Sequence, residues 1–175
     1  ILAFSASWLA LREPADKAAR DGNLMQKAAA LAGDTPTVLD LGSGTGSTVR
    51  ALEPFVSESA RWTLVDIDAE LLAIAGEMIP AARLHQADLR EVNQLPVEGV
   101  DLVTGSALLD LVKEQWLKEI SHRFEVPFYF ALTYDGRMRW APAASEDEQI
   151  TKSFNLHQQQ DKGMGEALGP RAIEV

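Results

Sequence analysis

The sequence predicts an α/β fold in one domain, with a doubly wound and mostly parallel sheet covered by helices on both faces. Short apolar segments of strand length alternate along the chain with segments of helical periodicity. This alternation is typical of right-handed βαβ connections in a parallel sheet. A glycine-rich turn also follows the first predicted strand and opens a predicted helix. With 175 residues, the chain is long enough for one domain with a substantial core.

The N-terminal segment is rich in alanine and is predicted to form helices. Pro14 fits the first turn of a helix, where its missing N–H group is not needed. The helical pattern breaks at residues 21–23 and resumes with apolar residues at 24, 25, 28 and 31. We therefore expect residues 1–34 to form a helical lid, residues 35–141 an α/β core that binds a cofactor, and residues 142–175 a helical segment suited to recognise an acceptor.

The core is predicted to contain five strands, at residues 37–41, 62–66, 83–86, 100–104 and 127–133. Helices are expected after the glycine-rich turn to about residue 55, after a cap at Asp68, and at residues 112–124. Residues 134–137 resemble a hairpin turn with a returning strand at 138–140. Ser145 and Glu148 fit a capping box that opens a helix to about residue 160. Because parallel strands end at one edge, the loops after Leu41, Asp66 and the next two strands should share a ligand site.

The glycine-rich turn comprises Asp40, Leu41, Gly42, Ser43, Gly44, Thr45 and Gly46. Glycine permits a tight turn and a close approach of ligand to backbone, and the following helix offers free N–H groups. The third glycine comes one residue earlier than in a dinucleotide fingerprint. Asp40 would suit an ammonium group better than a pyrophosphate. A structural turn or a dinucleotide site remain the alternatives for this motif.

Three further motifs follow at the ends of later strands. Asp66 ends the second strand, where a carboxylate can accept two hydrogen bonds from a ribose diol, although an Asp that only closes the strand is the alternative. Asp88 follows the third strand, and a solvated loop residue is its alternative. Ser106 lies where the fourth strand opens. Asp68 is favoured as a helix cap.

In their order and spacing, these motifs resemble those of class I S-adenosylmethionine-dependent methyltransferases over residues 37–112. The resemblance implies a Rossmann-like fold, an enzyme, and S-adenosyl-L-methionine as cofactor. It implies that the glycine-rich turn holds the amino acid end of the cofactor, that Asp66 binds the ribose, that Ile67 packs on the adenine and that Asp88 meets the adenine amino group. The residues expected to contact the cofactor are Asp40, Gly42, Ser43, Gly44, Gly46, Asp66, Ile67, Asp88, Leu89 and Ser106. Arg12 and Arg20 could pair with the cofactor carboxylate, with solvated helix residues as the alternative.

The catalytic residue cannot be assigned from the sequence. Asp110, Tyr134 and His157 are candidate general bases, and Asp110 is expected on a helix surface. Residues 154–158 and 161–163 combine aromatic, amide and charged groups that could recognise an acceptor. His85 and His122 have no partner in the sequence and receive no role.

Composition narrows the remaining functions. The absence of cysteine excludes disulfides and thiolate chemistry, and no cluster of metal ligands is visible. No apolar stretch reaches the roughly 20 residues that span a bilayer, and no signal peptide is apparent, so we expect a cytoplasmic protein. The net charge of −10 disfavours nucleic acid as the acceptor and leads us to the hypothesis of a small-molecule acceptor.

Two alternatives to an active methyltransferase remain at this point. One is a catalytically silent methyltransferase-like binding protein, and the other is a nucleotide-dependent oxidoreductase. Members of the family end with two more antiparallel strands, and nothing after Ala141 resembles such a pair. With Ile1 at the start and Val175 at the end, we expect a fragment or a chain trimmed at both ends. The oligomeric state cannot be predicted.

Overall fold

A computed structural model describes residues 4–174; Ile1 and Val175, on which the expectation of a trimmed chain partly rests, lie outside them. The core is a five-stranded sheet in the order β3-β2-β1-β4-β5. All neighbouring strands are parallel. The strands are β1 Thr37–Leu41, β2 Arg61–Asp66, β3 Arg83–Gln86, β4 Leu102–Ser106 and β5 Phe128–Ala131. The predicted doubly wound α/β fold is thus confirmed, and the strand order reverses between β1 and β4.

Six α-helices and three short 3₁₀ turns surround this sheet in the described residues. The helices are α1 Ala6–Ala19, α2 Gly22–Ala32, α3 Ser47–Leu52, α4 Ala69–Met78, α5 Glu114–Arg123 and α6 Asp147–Gln158. The 3₁₀ turns are Val92–Gln94, Leu109–Leu111 and Gly169–Ile173. Asp68 caps α4 as predicted, because its Oδ1 accepts hydrogen bonds from the N–H groups of Glu70 and Leu71 at 2.9 and 3.2 Å. No helix in residues 4–174 has the length and apolar character needed to cross a membrane.

Two apolar cores form because alternate residues of a strand point to opposite faces. On one face, Leu39 and Leu41 of β1 pack in a cluster with Trp116 and Ile120 of α5. On the other face, a second cluster joins Val38 of β1 to residues of α2, α3 and α4. Both strand faces are covered, which explains why β1 is an almost continuous apolar run. Asp40 interrupts that run in the middle of the sheet.

Three local predictions are wrong. Pro14 lies in the middle of α1, not in its first turn, because Ser5 starts the helix by accepting the N–H of Trp8 at 3.2 Å. Residues 134–137 form no hairpin and 138–140 form no strand. Instead, Tyr134 donates to Asn155 Oδ1 at 2.6 Å, and Asn155 donates to the Gly136 carbonyl at 3.0 Å. This segment therefore packs on α6 rather than on itself.

The capping box predicted at the start of α6 is also absent. The helix begins at Asp147, whose Oδ2 accepts the backbone N–H of Ala144 at 3.0 Å. The Ser145 hydroxyl donates to Glu146 at 2.8 Å and therefore does not cap the helix. Asp147 therefore ties the preceding segment to the first turn of α6, and the N-cap residue, Glu146, makes no capping hydrogen bond through its side chain.

Candidate functional site

A cavity of about 500 Å³ lies at the carboxyl ends of the strands. Its walls come from the turn after β1, the ends of β2 and β4, helix α1, and residues 161–164. Such a position at the switch point of a parallel sheet is where ligands bind in open α/β folds. The expectation that the loops after the first four strands share one edge is met, because residues that follow β1, β2, β3 and β4 all line the cavity.

The glycine-rich turn provides bare backbone at this cavity. Gly42 and Gly44 have φ values of +65° and +52° and line the cavity together with Ser43. These positive φ values are accessible to glycine at little cost. A Cβ atom on Gly44 would approach Leu9 of α1 at 3.4 Å. The first two glycines therefore form a cradle in which a ligand can lie directly against the main chain.

Gly46 has a different role from the one expected. It is outside the cavity lining, and a Cβ atom there would lie 2.5 Å from Ile79 Cδ1. Its φ is +84° at the start of α3. The third glycine thus allows α3 to pack closely against the C-terminal end of α4. Its two neighbours in the sequence, Thr45 and Ser47, line the cavity, and a contact of Gly46 with the cofactor stays a prediction.

Asp66 links the end of β2 to the glycine-rich turn. Its Oδ2 accepts the N–H of Gly44 at 2.8 Å, and its Oδ1 accepts the N–H of Asp68 at 3.0 Å. Asp66 and its exposed neighbour Ile67 both line the cavity. Each carboxylate oxygen can accept a further hydrogen bond. The carboxylate is therefore oriented by backbone donors and still able to bind hydroxyl groups.

A polar cluster lies under the turn and consists of the buried residues Arg20, Asp40, Thr48 and Thr104 and the half-buried Ser106. Arg20 Nη2 donates to Ser106 Oγ at 2.8 Å, and Ser106 Oγ is 3.0 Å from Thr48 Oγ1. Thr104 Oγ1 donates to Asp40 Oδ1 at 2.7 Å. Ser106 and Thr48 line the cavity. The cluster therefore runs from the cavity wall into the centre of the sheet.

Asp40 is fully buried and does not itself line the cavity. Burial raises its pKa to about 6, although the hydrogen bond from Thr104 and the charge of Arg20 act in the opposite direction. Three buried polar atoms near the turn have no partner: Asp40 Oδ2, Arg20 Nη1 and Ser43 Oγ. Buried polar atoms normally have partners. Of these three residues only Ser43 lines the cavity, and Asp40 and Arg20 lie behind its wall.

Asp88 does not line the cavity, and its contact with adenine stays a prediction. The carboxylate pairs with the side chain of Arg90 and also accepts the backbone N–H of Arg90 at 2.9 Å. These contacts hold the pKa of Asp88 below its usual range. Leu89, the next residue, does line the cavity and is buried. The loop after β3 thus contributes an apolar side chain instead of a carboxylate.

Two non-glycine residues with left-handed backbone conformations also line the cavity. Ala107 follows β4 with φ +51°, and Leu132 follows β5 with φ +59°. The N–H of Ala107 donates to the carbonyl of Ala131 at 2.9 Å, which connects the two strand ends. Such conformations cost about 1 kcal/mol or more in residues with a Cβ atom, and they are concentrated at functional sites.

The three candidate general bases do not line the cavity. Asp110 was expected on a helix surface but is buried on the 3₁₀ turn, and burial raises its pKa. The hydroxyl of Tyr134 is engaged by Asn155. His157 Nδ1 lies 3.2 Å from Lys162 Nζ, and it is the lysine that reaches the cavity. No catalytic residue is assigned.

Helix α1, which lies in the segment expected to form a helical lid, contributes one wall of the cavity. Trp8, Leu9 and Arg12 line the cavity. Glu13 accepts hydrogen bonds from Arg50 Nε and Nη2 at 2.7 and 2.6 Å, which lowers the Glu13 pKa. Arg50 also donates to the Thr45 carbonyl at 2.7 Å. This ion pair attaches α1 to the glycine-rich turn. It could not be predicted from local sequence, because its two residues are far apart in the chain.

Comparison with known proteins agrees with this geometry. The family described as a methyltransferase domain matches residues 38–125. A SAM dependent methyltransferase from Aquifex aeolicus has a similar structure, with 19% identity and a TM-score of 0.60 over 87% of this chain and 88% of that one. No curated protein sequence matches.

Two further structures cover larger proteins. The YcgJ protein of Bacillus subtilis has 20% identity and a TM-score of 0.54 over 83% of this chain and 60% of that one. A S-adenosylmethionine-dependent methyltransferase from Clostridium acetobutylicum has 18% identity and a TM-score of 0.52, over 73% of this chain and 57% of that one. The chain therefore spans less than two thirds of these two proteins. At such identities the similarity demonstrates a shared fold.

Proposed function

The chain belongs to the methyltransferase domain family, and from this premise we propose that it transfers a methyl group to a small-molecule acceptor bound in the cavity. Membership of the family makes the protein an enzyme that uses S-adenosyl-L-methionine, and the resemblance noted in the motifs is confirmed. The match gives no support to a nucleotide-dependent oxidoreductase or to a silent binding protein. The acceptor and the residue roles below are our proposals.

One observation carries the proposal of a small acceptor. The cavity holds about 500 Å³, which lies in the lower half of the roughly 300–1,000 Å³ range of small-molecule sites. A cofactor composed of a nucleoside and an amino acid would fill most of this volume. Only a compact acceptor would fit beside it. The net charge of −10 also supports an acceptor other than a nucleic acid.

We assign the cofactor to the residues that form the cradle. Gly42, Ser43 and Gly44 would lie against its amino acid part, with the free atoms of Asp40 and Arg20 behind them. Asp66 would accept hydrogen bonds from the ribose hydroxyls. Ile67 and Leu89 would pack on the adenine, and Ser106 would face the reacting end. Gly46 and Asp88 do not line the cavity, and we assign neither of them a contact with the cofactor.

The chain's contribution to methyl transfer is alignment and exclusion of water. The bound cofactor supplies an activated methyl group, so the protein must hold the acceptor in line with it. Trp8, Leu9, Leu108 and Met164 give the cavity apolar walls. Such walls keep water away from the reacting groups and strengthen the electrostatic contacts around them.

The test is calorimetric titration with S-adenosylhomocysteine, with NADH as the comparison ligand. We expect micromolar binding of S-adenosylhomocysteine and no binding of NADH. Asp66→Asn should weaken the binding at least about tenfold, because an amide replaces one of the two acceptor oxygens. Asp34→Asn, at an exposed aspartate away from the cavity, is the matched control. Binding of NADH, or an unchanged affinity in Asp66→Asn, would contradict the proposal.

A further inference from the structure

We propose that the acceptor is a small, largely apolar carboxylic acid and that Lys162 binds its carboxylate group. This inference rests on the proposed function, since it assigns the part of the cavity that the cofactor leaves free. Among the charged side chains that line the cavity, Lys162 differs from all the others in its partners.

The other charged side chains that line the cavity already have partners. Arg12 and Asp16 pair with each other at 2.7 Å, and Glu13 pairs with Arg50 at 2.6 Å. The three remaining carboxylates accept backbone N–H groups; they belong to Asp66, Asp68 and Asp161. None of these six groups needs a charged ligand to be satisfied.

Lys162 has no acidic partner among the ion pairs of residues 4–174. Its Nζ has one polar neighbour, His157 Nδ1 at 3.2 Å. An ammonium group offers three donors, so two remain for a ligand. The residue is half-buried and lines the cavity, so an anion bound in the cavity could pair with it.

The loop that carries Lys162 is fixed on both sides of the residue. Asp161 Oδ1 accepts the N–H groups of Gly163 and Gly165 at 2.7 and 2.9 Å. Met164 is buried at 6% exposure and belongs to the core that contains Trp116. Lys162 is therefore presented to the cavity by a turn that is itself tied into the core.

Charge balance favours a carboxylate over a phosphate. A single ammonium neutralises one negative charge. A doubly charged phosphate would leave an excess charge beside Asp66, Asp68 and Asp161, in a protein that already carries −10. The apolar walls at Trp8, Leu132 and other residues would enclose the rest of the molecule.

The experiment is calorimetry on protein saturated with S-adenosylhomocysteine. The probes are benzoate, 3-phenylpropanoate and hexanoate, each compared with its uncharged amide of nearly the same shape. We expect at least one acid to bind about tenfold more tightly than its amide. Lys162→Met should remove this preference and Lys162→Arg should retain it. Lys152→Met, at an exposed lysine on α6 outside the cavity, should leave it unchanged.

Two results would overturn the assignment. One is the absence of any acid that binds more tightly than its amide. The other is a loss of S-adenosylhomocysteine affinity in Lys162→Met that matches the loss of acid binding, which would place the lysine on the cofactor. Failure of the wild-type protein to bind S-adenosylhomocysteine in the first titration would instead contradict the proposed function, so the two failures are distinguishable.

Discussion

At the scale of single residues, Asp40 is a buried carboxylate whose position opposes the stability of the fold. It occupies a strand position that would suit an apolar side chain, and its carboxylate has one satisfied oxygen and one free oxygen. Thr104, Arg20 and Thr48 favour the ionised form, but burial outweighs them and raises the pKa to about 6. A buried acceptor without a partner is unfavourable for the stability of the folded protein.

This raised pKa leads to a pH-dependent stability. Between the ordinary value of 3.8 and about 6, the folded protein holds a proton at Asp40 that the unfolded chain releases. Stability at this site should therefore fall as the pH rises through that window and stay lower above it. Relative to Asp40→Asn, wild-type protein should lose about 2 kcal/mol of unfolding free energy between pH 4 and 7.

Urea unfolding of both proteins at several pH values, without cofactor, measures this difference. The amide variant does not titrate at this site, so the comparison cancels the contributions of the other carboxylates. Asp34→Asn, which removes an exposed carboxylate, should track the wild type closely. A stability difference between wild type and Asp40→Asn that stays constant with pH would show that the buried carboxyl does not titrate in this range.

At the scale of elements, the contact between α3 and α4 depends on Gly46. Both the φ of +84° and the short distance to Ile79 disfavour a side chain there. Gly99 has a comparable φ of +67° but nothing within 4 Å of an added Cβ atom. We expect Gly46→Ala to cost about 2–4 kcal/mol and Gly99→Ala about 1 kcal/mol, because only the first adds a steric clash to the backbone strain.

Urea unfolding of the two alanine variants separates backbone strain from crowding. Gly99→Ala measures the conformational term, and the additional loss in Gly46→Ala measures the packing term. Equal losses in the two variants would mean that Ile79 moves aside without cost. In that case the close packing of α3 and α4 would not explain the third glycine of the turn.

Local sequence predicted some elements well for identifiable reasons. β1 was predicted with its observed bounds because its apolar run lies between Pro36 and Gly42, which both disfavour a longer strand. β4 was placed two residues too early at both ends. Gly105 and Ser106 belong to it because they pair with Phe130 and Ala131, and such pairing depends on residues far away in the chain.

At the scale of the whole molecule, the contrast between local sequence signals and contacts with residues far away in the chain explains which site residues could be predicted. Residues at strand ends, such as Gly42 and Asp66, reach the cavity because parallel topology alone places them there. The topology does not determine which polar groups neutralise one another. Arg90 engages Asp88. Arg50 engages Glu13 of α1 across a long sequence separation.

The overall charge gives the last prediction, which concerns the class of acceptor. With 16 Lys and Arg residues against 26 Asp and Glu residues, the protein as a whole repels a phosphate backbone, whose binding depends on neutralisation by Lys and Arg. Among the charged residues that line the cavity, acidic groups outnumber Arg12 and Lys162.

We therefore expect no binding of labelled single-stranded RNA, single-stranded DNA or duplex DNA at about 0.15 M salt, measured by fluorescence anisotropy with S-adenosylhomocysteine present. A basic nucleic-acid-binding protein should bind the same oligonucleotides in parallel. Tight binding by this protein at that salt concentration would contradict a small-molecule acceptor. It would require a basic surface formed elsewhere, because the charges around this cavity do not provide one.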